Sequence, residues 1–396
     1  MNIPQGYKQT ELGIIPEDWE VKRISDFTSI ITGGTPSTQR PEYWGGSIMW
    51  MSSGELNKKF VFDVKGRITT EGLLNSSTRI IPPFCVLIGL AGQGKTRGTA
   101  AYNYISLCTN QSIAAILPND KYNSLYLYYV VDSKYEYLRL LSSGDGGRGG
   151  LNKNLLNSLE ISFPKTIAEQ QAIAEALSDI DGLIVALDKK IAKKRLIKQG
   201  AMQQLLTGKK RLPGFSGPWM ERKLGAISHI KTGSCNGDQA VDNGKYPFFV
   251  RSQKVYAIDS YSYDGEAILV PGEGGIGSIF HYINGKFDYH QRVYKISDFA
   301  DNVCGKYIFF YMSRYFGEYA LSLTVKATVD SLRLPTFEEF VICMPLNIEE
   351  QQAIATILND MDKEIDDLEA QRDKYRLLKS GMMQKLLTGQ IRLKIK

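Results

Sequence analysis

Eight consecutive residues, Gly89-Leu-Ala-Gly-Gln-Gly-Lys95-Thr96, match the G-x-x-x-x-G-K-[ST] pattern of a phosphate-binding loop letter for letter. In such a loop glycine N–H groups cradle phosphates, the lysine reaches the terminal phosphates and the hydroxyl ligates magnesium. That chemistry also needs the loop to open a helix, whose N-terminal N–H groups and dipole face the phosphates. The apolar run 85–88 before it reads as a strand. On its C-terminal side, Arg97-Gly98-Thr99 and then Tyr102-Asn-Tyr-Ile-Ser106 read as a turn and another strand. No apolar strand ending in a magnesium-binding aspartate comes next. The expectation is a glycine-rich hairpin presenting Lys95 and Arg97; the alternative is a P-loop nucleotide-binding enzyme.

Other chemistry-bearing patterns are thinner. Ile81-Pro-Pro-Phe84 matches the Asn/Asp-Pro-Pro-Tyr/Phe signature of adenine methyltransferases only in its rings, because Ile81 cannot accept a hydrogen bond from a target amino group. A turn leading into a strand is expected there. Cys85, Cys108, Cys235, Cys304 and Cys343 lie far apart without a Cys-x-x-Cys, and the three histidines (His229, His281, His290) all fall in the second half. Neither set has metal-ligand spacing, so no metal is expected. The densest carboxylates, Asp362, Glu364, Asp366, Asp367 and Glu369, read as a solvated or partner-docking helix face. No catalytic centre is expected in this chain.

Elements to position such residues come in duplicate. Residues 167–212 and 348–393 align without a gap at an offset of 181, with 25 identities in 46 positions. In the first copy Ile173, Leu177, Ile180, Ile184, Leu187 and Ile191 follow 4-3-4-3-4 spacing; in the second, Ile354, Leu358, Met361, Ile365 and Leu368 do the same. That is the a/d seam of a coiled coil. Thr207-Gly208 and Thr388-Gly389 supply equivalent glycine stops. Each helix of about 40 residues would be about 60 Å long. The flanks repeat more faintly: Trp19-Glu-Val-Lys-Arg-Ile24 matches Trp219-Met-Glu-Arg-Lys-Leu224 at an offset of 200, followed by Ile30, Thr32 and Gly33 against Ile230, Thr232 and Gly233.

The expected order is therefore a globular part (1–166), a spacer helix (167–212), a second globular part (213–347) and a second spacer helix (348–396). The fold class is α+β: two mixed α/β parts separated by long helices that pair as an antiparallel coiled coil, with pseudo-two-fold symmetry. A length of 396 residues exceeds one comfortable core. No run approaches the roughly 18 apolar residues of a membrane span. The polar, acidic start is no signal peptide, so a cytoplasmic place is expected. A net charge of +6 is by itself poor evidence for nucleic acid.

The ordered set of Trp19 to Gly33, Glu169-Gln-Gln-Ala-Ile173, Leu205-Leu-Thr-Gly208 and their second copies resembles the specificity subunits of type I restriction–modification systems. Gly33-Gly-Thr-Pro-Ser37, with Tyr43-Trp44 and Ile48-Met-Trp50, is similar to a target recognition domain of that family. The resemblance implies a non-catalytic subunit that binds a bipartite, asymmetric sequence in double-stranded DNA. Each recognition domain would take one half-site, while the helices would set the gap and dock two modification (methyltransferase) subunits. Restriction subunits would join them. S-adenosylmethionine, ATP and magnesium would belong to those partners, and no cofactor to this chain.

Under that reading, basic, amide and hydroxyl residues of the glycine-rich loops are the candidate DNA contacts. They are Thr35, Ser37, Lys95, Arg97, Arg148 and Lys153 in the first part, and Arg251, Lys254, Gln291, Arg292, Lys326 and Thr328 in the second. Residues 167–212 hold nine Lys and Arg against five Asp and Glu, whereas residues 348–396 hold nine of each. The expectation is that Lys189, Lys190, Lys193 and Lys194 face DNA across the gap.

Overall fold

The computed structural model describes residues 3–92, 94–142, 150–275, 277–323 and 332–393. They form two compact units: Met1–Ala186 with Arg372–Lys396, and Leu187–Gln371.

In the first unit the apolar runs become strands covered on both faces. Val86–Gly89 is buried at every position and lies between Ile113–Ile116 and Ala100–Asn103, antiparallel to both, in a five-stranded sheet. Side chains on a strand alternate faces. Accordingly Val86, Ile88, Ala114 and Ile116 enter one core with Tyr126 and Tyr129 of the helix Ser124–Ser133, while Cys85, Leu87, Ala115 and Ile113 enter another with Met51 and Leu56. A four-stranded sheet built around Trp44–Met51 and Leu107–Thr109 completes the unit's larger sheets. The Pro82–Phe84 turn leads into Val86–Gly89, as expected, and Phe84 there has a φ of 71°.

The second unit repeats this plan in one six-stranded sheet. Tyr263–Pro271 lies between Val293–Ser297 and His281–Tyr289. Ile268, Val270 and Ile296 face the core under the helix Gly305–Ser322, and Ala267, Leu269 and Val293 face the other side. In each unit a two-stranded ladder ties the start of the globular part to the segment before a long helix: Glu20–Arg23 with Glu160–Phe163, and Trp219–Lys223 with Val341–Pro345.

The long helices are Ile167–Leu205 and Ile348–Leu386, 39 residues each. At 1.5 Å per residue each is about 58 Å long. Thr166 and Asn347 side chains accept N–H groups of their first turns. Gly208 and Gly389 follow the ends at φ of 68° and 70°, the left-handed region that favours glycine. A Cβ on Gly208 would press on the Trp219 ring, and one on Gly389 on Trp19 and Pro16.

Both helices contribute to both units, and inside each they run antiparallel. In the first unit Asp181 pairs with Lys379 at 2.7 Å and Glu169 with Arg392. In the second, Lys198 pairs with Asp362, and Arg211 meets Glu350 through two bonds of 2.6 and 2.7 Å. An offset of 181 carries each first-unit pair onto its counterpart, acid onto acid and base onto base. Gln170 and Gln351 are likewise equivalent, each donating to the carbonyl of the proline six residues earlier (Pro164, Pro345).

The heptad seam is divided rather than uniform. Ile173 and Leu177 sink into the first unit's core beside Leu386 and Leu387; Ile354 and Leu358 join the second unit's core beside Met202 and Leu205. Leu187 packs on a small cluster of Ile191, Ile365 and Leu368. Ile180, Ile184 and Met361 are half-buried. The charge asymmetry also has a local answer. Lys194 and Arg195 bind Glu364 and Glu369, so Lys194 sits in a helix-to-helix pair, while Lys189, Lys190 and Lys193 are exposed.

Glu350 is 1% exposed at its side chain, so its charge needs Arg211. Replacing Arg211 with Ala strands a buried carboxylate and should lower stability by about 3–5 kcal/mol. Lys194→Ala breaks an exposed pair and should change stability by about 1 kcal/mol or less. Urea midpoints of the second unit's unfolding should rank the variants in that order, and Arg211→Met with Glu350→Met should recover most of the loss.

Candidate nucleic-acid interface

In the first unit the chain leaves the strand Ile30–Thr32 through Gly33-Gly34, and three backbone bonds gather the loops. Gly33 N–H donates to Ile113 O (3.4 Å), Leu90 N–H to Ser112 O (2.8 Å), and Leu151 N–H to Leu90 O (3.2 Å). Gly33 is required because a Cβ there would occupy the Thr109 carbonyl. This close pass brings Thr35 Oγ1 within 2.6 Å of Gln111 Oε1. Ser37 is exposed, and its carbonyl accepts from Trp44 Nε1 at 3.1 Å; Trp50 Nε1 donates to Gly34 O at 3.0 Å.

The phosphate-loop look-alike joins two strands. Ala100–Asn103 returns antiparallel to Val86–Gly89, with Gly98 N–H bonded to Gly89 O (2.9 Å) and Gly89 N–H to Thr99 O (3.0 Å). Without a helix to open, the loop lacks the N-terminal N–H groups that phosphate binding uses. It is a hairpin. Lys95 is exposed on it, and its carbonyl accepts from Thr99 Oγ1 at 2.6 Å and Tyr135 OH at 3.2 Å. Arg97 is half-buried, and Arg139 braces the loop through Gly94 O at 2.8 Å. Lys153 is exposed at the start of the short helix Lys153–Asn157, which Asn152 caps. Thr35, Lys95 and Lys153 therefore belong to three loops stitched around residues 110–113.

The second unit builds the same junction with other side chains. Gly233 N–H donates to Val293 O (3.3 Å), Gly272 N–H to Arg292 O (2.8 Å), and Leu332 N–H to Gly272 O (2.7 Å). A Cβ on Gly233 would collide with the Tyr289 carbonyl, as one on Gly33 would with Thr109. Gln291 donates from Nε2 to Asn236 Oδ1 at 2.8 Å. Glu273 accepts Arg251 on Oε2 (3.1 Å) and Arg292 on Oε1 (3.0 Å). Lys254 Nζ lies 4.8 Å from the centre of the Tyr256 ring, within cation–π range. His290 Nδ1 accepts the Arg292 N–H at 2.9 Å; burial, with Arg251 and Arg292 nearby, holds the imidazole below its ordinary pKa.

Two clefts flank Glu273. One, of about 410 Å³, includes Arg251, Tyr256, Gly274 and His290. The other, of about 450 Å³, includes Gly233, Gln291, Arg292 and Arg333. Arg251, Gln291 and Arg292 thus converge and Lys254 lies beside them, while Arg148, Lys326 and Thr328 lie outside the described residues. Sequence reasoning named Gln291 but missed Gln111, its counterpart at an offset of 180. It also missed Asn236, Tyr256, Glu273 and Arg333. A signal for Gln111 was present in the faint flank repeat, whose drifting offset conceals it.

A family model described as the type I restriction modification DNA specificity domain matches twice, over residues 16–195 and 217–375. The chain belongs to that family. Specificity subunits confer recognition and do not themselves catalyse. Among relatives, the chain is 37% identical over 186 residues to the type I restriction enzyme MjaIX specificity subunit of Methanocaldococcus jannaschii, a match covering 45% of this chain and 41% of that protein. It is 25% identical to the MjaVIII specificity subunit of the same organism, over 96% of this chain and 94% of that one. The EcoR124I/EcoR124II specificity subunit of Escherichia coli is 29% identical over 45% of this chain and 44% of its own length. The fold is similar to a crystal structure of a type I S subunit from M. genitalium, with a TM-score of 0.70, 15% identity and 98% of each chain covered. Among the described residues no helix is long and apolar enough to cross a membrane, and no cluster of His, Cys, Asp and Glu could hold a metal.

A hairpin that contacts DNA phosphates has a measurable signature. Lys95→Ala should weaken duplex binding equally on all sequences and reduce the salt slope by about one. Equilibrium dialysis should find no ATP affinity in the unaltered chain for the substitution to remove.

Proposed function

We propose that this chain reads a bipartite, asymmetric DNA sequence, one half-site through residues 1–166 and the other through residues 213–347. The observation that carries this reading is the twice-built loop junction: the same three backbone bonds recur in both units under different side chains. Thr35 and Gln111 stand in one, and Arg251, Glu273, Arg292 and Gln291 in the other. A homodimer presents one reader twice and suits a palindrome, whereas two unlike readers on one chain suit unlike half-sites. Lys95, Arg97 and Lys153, with Arg148 and Lys326, act as phosphate contacts that set register. Thr35, Ser37, Lys254, Gln291 and Thr328 reach base edges or the sugar–phosphate backbone around them.

Residues 167–212 and 348–396 act as the spacer that sets the gap between half-sites. They also dock two methyltransferase subunits. Leu196 and Leu377 are 68% and 76% exposed, Ile197 and Leu378 about half, and each member of one pair stands 181 residues from its counterpart. Apolar residues repeated on a solvent face suit two copies of one partner. S-adenosylmethionine, and the ATP and magnesium that restriction subunits use, act on those partners in this reading.

The spacer role is tested by insertion. Four residues added after Ala186 and four after Gln371 lengthen both helices by about 6 Å, or about two base pairs at 3.4 Å each. Methylome sequencing of cells holding the altered chain and its methyltransferase should show a longer gap between unchanged half-sites. An unchanged gap would remove the spacer assignment.

The duplication supports a second test. A chain ending at Leu212 keeps Glu169 and Asp181, and carries Lys198 and Arg211 as equivalents of Lys379 and Arg392. It should form a homodimer by light scattering and direct methylation to a palindrome of one half-site. A monomer that still directs specific methylation would contradict the pairing.

A further inference from the structure

We infer that Arg251 and Arg292, held by Glu273, read guanine in the half-site taken by the second unit. This rests on the DNA-reading assignment above and goes further by naming a base and a positioning residue. Glu273 accepts one Nη1–H from each arginine, on opposite oxygens. Its side chain is 28% exposed, while those of Arg251 and Arg292 are 51% and 57% exposed. The carboxylate is thus the more enclosed partner, and both guanidiniums stand at the surface on its two sides. Each guanidinium has five N–H donors, so one bond to Glu273 orients its plane and leaves a two-donor edge over. Such an edge matches the O6 and N7 acceptors of guanine in the major groove.

Two observations favour a base over a phosphate as the ligand. A carboxylate at the centre of the pair weakens its attraction for any anion, which a phosphate clamp would not need. The same carboxylate complements a G·C pair, since an acidic side chain can accept from the cytosine amino group beside the guanine. The other unit supplies the comparison. At the equivalent junction Leu90 N–H meets Ser112 O where Gly272 N–H meets Arg292 O, and Ala91 stands where Glu273 does. Backbone geometry is shared and the charged triad is not, so the triad serves what differs between the units. In this reading Glu273 is a positioning residue, acting through the arginines.

The test uses the complete chain with its methyltransferase subunit. Methylome sequencing first gives the two half-sites. Binding is then measured on duplexes in which each guanine in turn is 7-deazaguanine, which pairs normally but lacks N7. The unaltered complex should lose about tenfold to a hundredfold in affinity at one or more guanines of a single half-site. Arg251→Gln and Arg292→Gln should each lose a similar factor on natural duplex and nothing further at their own modified guanine. Glu273→Gln should lose less while keeping part of the sensitivity to 7-deazaguanine. Indifference of the unaltered complex to every 7-deazaguanine would overturn the inference. So would arginine variants that weaken all duplexes alike with a reduced salt slope, the mark of phosphate contacts. Failure of the wider assignment is separately visible, because the unaltered complex would then yield no methylation motif.

Discussion

The structure depends on a carboxylate that cannot stand alone. Glu169 and Glu350 each sit in the first turn of a long helix with side chains almost wholly removed from water, 4% and 1% exposed. A buried charge is tolerated only beside a matching, well-oriented partner. In both units the partner is an arginine three residues past the glycine that ends the other helix, Arg392 after Gly389 and Arg211 after Gly208. The start of each long helix is therefore tied to the segment that follows the other. In the first unit the tie reaches further. Arg392 also binds Asp18 at 3.0 Å through both terminal nitrogens, holding that carboxyl below its ordinary pKa, and Tyr7 OH donates to Gly389 O at 3.0 Å. Tyr7 and Asp18 are thereby joined to Gly389 and Arg392 within one unit.

The charge difference between the helices arises from the same constraint. Lys194, Arg195 and Lys198 look like a basic stripe when read along one helix. Glu364, Glu369 and Asp362 look like a solvated acidic face when read along the other. Each is the other's complement. A period of 3.5 residues reports that a helix has a face for a partner, but not which charges oppose it, since that depends on antiparallel register. Lys189, Lys190 and Lys193 keep the exposure that a role toward DNA would require, and Lys194 does not.

Periodicity and internal repetition made the helices, their stops and the two globular parts legible, because those signals are local or lie at a constant offset. A strand after the phosphate-loop look-alike was legible from its propensity, but its bounds were not: it runs Ala100–Asn103, and Tyr104–Ser106 lie beyond it. The junction was harder to see. Its members come from residues 33–35, 90, 110–113 and 151 in one unit and from 233–236, 272, 291–293 and 332 in the other, so the offset drifts from 200 to 180 within one site. Glu273 gave no sign of its role, because a glutamate in a glycine-rich stretch ordinarily reads as solvated. Only tertiary structure places it between Arg251 and Arg292. The second unit's single larger sheet, against two in the first, was also beyond local patterning, since sheet membership depends on long-range pairing.

Gly33 and Gly233 link that stability to the recognition proposed for the loop junctions. Each lets a loop pass so near a neighbouring carbonyl that no side chain would fit, and the backbone bonds it allows hold the adjacent loops in place. With the loop backbone settled by main-chain bonds, side chains at the rim are released from structural duty. Thr35 and Gln111 can be neutral in one unit while Arg251, Glu273 and Arg292 are charged in the other, and the strands beneath keep the same hydrogen bonding at the junction. A reader built this way can change its contacts by substitution at exposed positions, where the effect on stability is ordinarily within about 0.5 kcal/mol. The helix pairs carry the opposite burden, because a change at Arg392 or Arg211 leaves the buried carboxylate of Glu169 or Glu350 without its partner. Divergence in the loops and the closer likeness of the two helices, 25 identities in 46 positions, are then two results of one distribution of burial.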